Sequence, residues 1–110
     1  LCDVAPVGID IERYGIRVQR VFERFTREDE QVESYLGDKT WSMLLHWSAK
    51  ETIFKRMNDA DADLRKLRLS HFVPLEEGEF QVQELVTEQR TVYTVGYRIH
   101  PDFVLTWMLD

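Results

Sequence analysis

The fold is decided by residues 39–57, which read KTWSMLLHWSAKETIFKRM. This stretch contains neither glycine nor proline, and Asp38 stands before it as a helix N-cap. Apolar and small side chains recur at helical spacing along one stripe, formed by Trp41, Leu44, Leu45, Ser48 and Thr52. The stretch therefore predicts one long helix with a buried face, and we expect its histidine, His46, to be structural.

A strand pattern precedes this helix at residues 4–12. From Val7 onward the residues alternate, with Val7, Ile9 and Ile11 on one side and Asp10 and Glu12 on the other. The apolar side is expected to be buried, so that both carboxylates project from the opposite face.

Further strand patterns follow the helix. Residues 80–86 and 91–99 are typical of a hairpin, residues 103–109 of a last strand, and residues 68–75 of a strand that Pro74 closes.

The segment between the first strand and the long helix carries weaker helix signals. Residues 16–25 are weakly helical, and Thr26 is expected to cap a short helix that runs through Leu36 and ends at Gly37. The order predicts an α+β fold in which an antiparallel sheet packs against one long helix, with residues 1–110 forming a single domain.

Composition excludes several classes of protein. The 110 residues carry 14 basic and 20 acidic side chains, a formal charge of −6 that gives no footprint for nucleic acid. No apolar run is long enough to span a membrane. The one cysteine rules out a disulfide framework within the chain, and a cytoplasmic location is the resulting expectation.

Three acids and two lysines, Lys50 and Lys55, are candidates for chemistry at one place. Asp10 and Glu12 project from the same strand face, and a helix crossing this strand could bring Glu51 to them. Hard divalent cations such as Mg²⁺ prefer carboxylate oxygens. The alternatives are an exposed strand face on which acids are ordinary, and an ordinary pair between Glu51 and Lys55 four residues later.

Residues 7–12, VGIDIE, and 47–55, WSAKETIFK, resemble the paired motifs of the 4′-phosphopantetheinyl transferase superfamily, in the surfactin-synthetase-activating form. The first motif is hydrophobic-Gly-hydrophobic-Asp-x-Glu, and the second is Trp/Phe-Ser/Cys/Thr-x-Lys-Glu-x-x-x-Lys. Both match at every defined position. The resemblance implies a Mg²⁺-dependent holo-carrier-protein synthase, which moves phosphopantetheine from coenzyme A to a serine of an acyl or peptidyl carrier protein.

The resemblance also implies residue roles. Asp10, Glu12 and Glu51 match the family's Mg²⁺ ligands, and Glu51 also matches the proposed general base. Lys50 and Lys55 match lysines that contact coenzyme A phosphates, and Lys55 would also stabilise the leaving bisphosphate.

Five arginines cluster within residues 13–27. They are typical of a solvated face. If the carrier protein is acidic, however, its docking surface is expected to comprise Arg17, Arg20 and Arg24, with Phe22 or Phe25.

The resemblance covers the C-terminal lobe of a two-lobe enzyme. An N-terminal lobe or a second subunit is therefore expected to complete the site. Two other hypotheses stay open at this point: a metal-dependent phosphodiester hydrolase, and a non-catalytic interaction lobe of the same fold.

Overall fold

The computed structural model describes residues 9–57 and 63–109. This part contains β1 (Ile9–Arg13), α1 (Arg17–Val21), α2 (Thr40–Met57), β2 (Leu67–Leu69), β3 (Glu77–Glu84), β4 (Val92–His100) and β5 (Phe103–Leu109). Two 3₁₀ turns, Phe22–Arg24 and Leu64–Lys66, follow α1 and precede β2. Residues 4–8 of the predicted first strand lie outside the described residues.

The five strands form one sheet in the order β1-β5-β4-β3-β2, and every neighbouring pair is antiparallel. The predicted α+β class with an antiparallel sheet is confirmed, and the structure adds the short helix α1. Because β1 pairs with the last strand, Asp10 lies directly opposite Thr106. The predicted hairpin is confirmed as β3 and β4, with bounds that differ by a few residues.

Helix α2 begins as the sequence predicts, because Asp38 Oδ1 accepts a hydrogen bond of 2.8 Å from the backbone N–H of Thr40. Its Leu45, Ala49 and Ile53 are fully buried. They belong to one core with buried side chains of the sheet, among them Val82, Val95, Tyr97 and Val104. Burial of the larger aliphatic side chains among them, such as Leu45 and Ile53, stabilises the fold by about 1.5–3 kcal/mol each.

The expected orientation of β1 is wrong for its described residues. Ile9 and Ile11 are 48% and 58% exposed, whereas Asp10 is only 8% exposed. The physical reason is that α2 covers the opposite face, where its Ser48 and Lys55 supply hydrogen bonds to the carboxylate of Asp10. A buried carboxylate is tolerated only when it is paired in this way.

The helix predicted for residues 26–36 does not form either. The carboxylate of Glu30 turns back to accept a hydrogen bond from the N–H of Arg27, and the carbonyl of Glu33 accepts one from Ser42. These bonds hold the segment as an irregular loop against α2.

The strand predicted for residues 68–75 is also too long, since β2 is Leu67–Leu69. Pro74 has no N–H to give to a sheet ladder. The N–H of the next residue, Leu75, donates to the Tyr97 hydroxyl at 3.0 Å instead.

Candidate active site

Asp10 is the centre of the predicted site, on β1 beneath α2. Its Oδ2 accepts a hydrogen bond of 2.9 Å from Ser48 Oγ. Its Oδ1 accepts one of 3.2 Å from Lys55 Nζ. The Lys55 side chain is 57% exposed, so this ion pair lies at the boundary between the core and solvent. Asp10 therefore presents one oxygen to the core and one to the surface.

Glu12 lies on the same face of β1 and is half-buried. Partial burial, followed by the hydrogen bond and the negative charge of Asp10, raises the pKa of Glu12 to about 7. Glu51 adds to this rise, and Trp47 opposes it. The two carboxyl groups are thus close enough to disfavour ionisation of both.

Glu51 reaches the same place from α2. Its pKa is raised by partial burial and then by the charge of Asp10, while Lys55 lowers it. Asp10, Glu12, Glu51 and Lys55 therefore lie near one another, whereas Lys50, which the sequence also placed here, does not. We call the four residues that lie together the carboxylate cluster.

The donor chemistry of the carboxylate cluster fits a hard divalent cation, because all three acids offer oxygen ligands. Within residues 9–57 and 63–109, no group of three or more potential ligands is already arranged to hold a metal ion. Lys55 also lies at an oxygen of Asp10 that such an ion would use. In the described residues these carboxylates are therefore not arranged to share a cation as they stand.

Lys50 does not lie in the carboxylate cluster. Its Nζ donates to Glu30 Oε1 and to the carbonyl of Phe25, both at 2.7 Å, and the ammonium has no solvent exposure. Glu30 also accepts a bond of 2.7 Å from the N–H of Leu69. Sequence reasoning missed Glu30, although a lysine on the buried side of an apolar helix signals that an acid must lie nearby.

Glu12 also lines a groove of about 600 Å³. Of the predicted docking residues, Arg17, Arg24 and Phe25 line this groove. Arg20 and Phe22 do not line it, and Phe22 packs against Phe25 and His46 instead. The other lining residues include Arg13, Val18, Val21, Leu44, Trp47 and Leu64. The lining of the groove combines apolar side chains with three arginines and Glu12.

Residues 6–107 match the family model of the 4′-phosphopantetheinyl transferase superfamily. The chain belongs to this superfamily. No curated protein and no solved structure gives a significant match. Membership implies phosphopantetheinyl transfer in general, with coenzyme A and a carrier protein as the general partners. The match includes the carboxylate cluster and the groove.

Among the described helices, none combines the length and the hydrophobicity needed to cross a membrane.

Proposed function

We propose that the chain is the C-terminal lobe of an enzyme that transfers 4′-phosphopantetheine from coenzyme A to a serine of an acyl or peptidyl carrier protein. The observation that carries the proposal is the carboxylate cluster, whose Glu12 also lines the groove. Three acids and one lysine of the two motifs converge there from β1 and α2, in a chain of the transferase superfamily. The cytoplasm is the proposed location.

Asp10, Glu12 and Glu51 are the residues that would hold Mg²⁺. The bound cation would supply charge neutralisation at the pyrophosphate of coenzyme A and polarise the phosphorus that is attacked. The raised pKa of Glu12 is compatible with this assignment, because partial burial and then the neighbouring carboxylate of Asp10 disfavour its charged form, which a bound cation would offset.

Glu51 is proposed as the general base, directly or through a water molecule. The serine oxygen forms a bond to the β-phosphorus, its proton passes to Glu51, and the bond to the departing adenosine 3′,5′-bisphosphate breaks. A raised pKa brings Glu51 nearer to the working pH, which favours proton acceptance.

Lys55 is proposed to contact the phosphates and to stabilise the leaving group. Its ammonium is at the surface, and it can exchange the Asp10 carboxylate for a phosphate oxygen. We do not extend this role to Lys50, because its ammonium is enclosed with Glu30.

The groove is proposed to receive the carrier protein, with Arg17 and Arg24 facing its acidic surface. Phe25 is only 1% exposed, so it would support the groove from the core rather than contact the carrier. An N-terminal lobe or a second subunit would complete the coenzyme A site.

The test uses the full-length protein with an apo carrier protein, coenzyme A and Mg²⁺. We expect the carrier to gain the mass of one phosphopantetheine group. Glu51→Gln should lower the rate at least about 100-fold, the low end for loss of a general base. Glu88→Gln, on the exposed hairpin loop, is the matched control and should be fully active.

Each alternative has its own outcome. Unmodified carriers together with hydrolysis of a phosphodiester would favour the hydrolase. Unmodified carriers and no calorimetric Mg²⁺ binding would favour a non-catalytic interaction lobe. Full activity of the Glu51→Gln variant would remove Glu51 from its proposed role.

A further inference from the structure

Three hydroxyl groups lie in a row between α2 and β5. Ser48 Oγ is 2.7 Å from Thr106 Oγ1, and Thr106 Oγ1 is 3.0 Å from Thr52 Oγ1. All three side chains have no solvent exposure. The row ends at the carboxylate cluster, because Ser48 Oγ also lies 2.9 Å from Asp10 Oδ2.

The number of protons fixes the direction of these bonds. A hydroxyl has one proton to donate, whereas a carboxylate oxygen can only accept. The proton of Ser48 is used on Asp10, so Ser48 must accept from Thr106. The proton of Thr106 is then used on Ser48, so Thr106 must accept from Thr52. The chain therefore runs in one direction, from Thr52 through Thr106 and Ser48 to Asp10.

Packing alone does not require a hydroxyl at residue 106. Valine has nearly the same shape as threonine and is equally suited to a strand. The neighbouring inward-facing residue of β5, Val104, is likewise fully buried. What distinguishes Thr106 is its position directly opposite Asp10 in the strand register.

We propose that Thr106 is a positioning residue, which acts through Ser48 to fix Asp10 Oδ2, so that Asp10 Oδ1, which bonds to Lys55 here, is the oxygen that a cation would share. The proposal rests on the proposed function, since the cation belongs to that reaction. Hydrogen bonds in a buried chain polarise one another, so loss of the middle member weakens the bond that orients Asp10. Residues that orient metal ligands typically change metal affinity 10-fold to 100-fold when they are replaced.

The test compares Thr106→Val, which removes the hydroxyl, with Thr106→Ser, which keeps it and removes the methyl group. Mg²⁺ binding to the full-length protein is measured by calorimetry, and the rate of carrier modification is measured over a range of Mg²⁺ concentrations. We expect Thr106→Val to weaken Mg²⁺ binding about 10-fold. The half-saturating Mg²⁺ concentration should rise equally, with a smaller change in kcat at saturating Mg²⁺, and Thr106→Ser should bind Mg²⁺ as the unmodified protein does.

Thr94→Val is the matched control, because Thr94 lies on the neighbouring strand β4 and outside the hydroxyl chain. It should leave Mg²⁺ binding unchanged. Thr52→Val, at the far end of the chain, should weaken binding less than Thr106→Val. It provides the second variant if Thr106→Val does not fold.

The outcomes separate the two proposals. If the unmodified protein transfers phosphopantetheine but Thr106→Val and Thr52→Val bind Mg²⁺ normally, the positioning role is wrong and the proposed function stands. Equal loss of Mg²⁺ binding in Thr106→Ser and Thr106→Val would also overturn it, because packing would then be the cause. If the unmodified protein neither binds Mg²⁺ nor modifies a carrier, both proposals fail.

Discussion

Helix α2 has two polar sides, and they meet their partners differently. On the side facing β1, Asp10, Glu12 and Glu51 share one lysine, and the pKa values of both glutamates are raised. On the side facing the loop before α2, Lys50 and Glu30 form a closed ion pair with no solvent exposure. Among the side chains that the structure describes, the first side is short of positive charge, whereas Lys50 and Glu30 on the second pair with each other.

Lys50 and Glu51 are neighbours in sequence, but their side chains lie on different sides of helix α2. Successive residues of an α-helix are rotated by about 100°, so one residue reaches the loop while the next reaches the strand. The comparison indicates that, within the motif at residues 47–55, Glu51 is suited to chemistry and Lys50 to holding the loop before α2 in place. Burial, and then the nearby charge of Lys50, lowers the pKa of His46 to about 3, which keeps this ring neutral beside the ion pair.

The largest effect is expected from Lys50→Met. This change leaves Glu30 buried without its counter-charge, and breaking such a pair typically lowers the free energy of unfolding by about 3–5 kcal/mol. Urea unfolding of the 110-residue chain measures it.

The double variant Glu30→Gln/Lys50→Met provides the control. It should be more stable than Lys50→Met alone, because no unpaired charge is then buried. A loss below about 1 kcal/mol in Lys50→Met, the range of exposed ion pairs, would contradict the view that this side is closed.

The next largest loss of stability is expected at Glu84. Like Glu30 it is a buried carboxylate, but hydrogen-bond donors rather than a lysine satisfy it. It accepts hydrogen bonds from the N–H groups of Val86, Thr87 and Thr91 and from the Thr87 hydroxyl. Burial by itself would raise the pKa of Glu84, but these bonds lower it to about 2. Glu84→Gln should reduce the free energy of unfolding by about 1–3 kcal/mol at pH 7.

The sign of the pH dependence follows from this lowered pKa. The stability that Glu84 contributes is present above its unfolded value of 4.5 and is lost as the pH falls towards 2. The difference between the unmodified chain and Glu84→Gln should therefore shrink between pH 5 and about pH 2. Glu79→Gln, an exposed residue on β3, should show no such difference.

Local patterns predicted most of the fold. The cap at Asp38, the helix after it and the three long strands depend on nearby residues, and these elements formed close to the predicted bounds. The predicted helix at residues 26–36 failed for the opposite reason. The conformation of this segment depends on Glu30, because the carboxylate of Glu30 bonds to Lys50 and Leu69, which are distant in sequence.

The candidate site shows the same division. The sequence predicted that three acids and two lysines converge. The structure brings Asp10, Glu12, Glu51 and Lys55 together, but Lys50 is enclosed with Glu30 instead. The sequence could not show which face of β1 the helix covers, since alternation marks two faces without naming the inner one. Thr106 was missed because its role depends on strand register.

A smaller change in stability is expected at Glu12, and its pH dependence has the opposite sign to that of Glu84. The folded pKa, about 7, lies above the unfolded value of 4.5, so the folded chain holds this proton more tightly. The stability contributed by Glu12 is therefore present below pH 4.5 and is lost as the pH rises through 7. With a chelator present, Glu12→Gln should gain stability relative to the unmodified chain over this range.

Urea unfolding at several pH values from 4 to about 8 checks this result. Added Mg²⁺ should stabilise the unmodified chain at pH 8 more than it stabilises Glu12→Gln. If the free energies of unfolding of the two chains change with pH in the same way without metal, the side of α2 that faces β1 is not short of positive charge.

The smallest effect on stability is expected from Lys55→Met, the counterpart of Lys50→Met on the same helix. The Lys55 side chain is 57% exposed, so its pair with Asp10 is screened by water and is worth at most about 1 kcal/mol. Ser48 still donates to Asp10 after the change. Carrier modification by the full-length protein should nevertheless fall about 10-fold to 100-fold, because a hydrogen bond to a charged group is worth about 1.5–3 kcal/mol. Equal losses of stability in the two lysine variants would mean that both sides of α2 are structural, whereas lost transfer with retained stability assigns Lys55 to the reaction and leaves Lys50 to the fold.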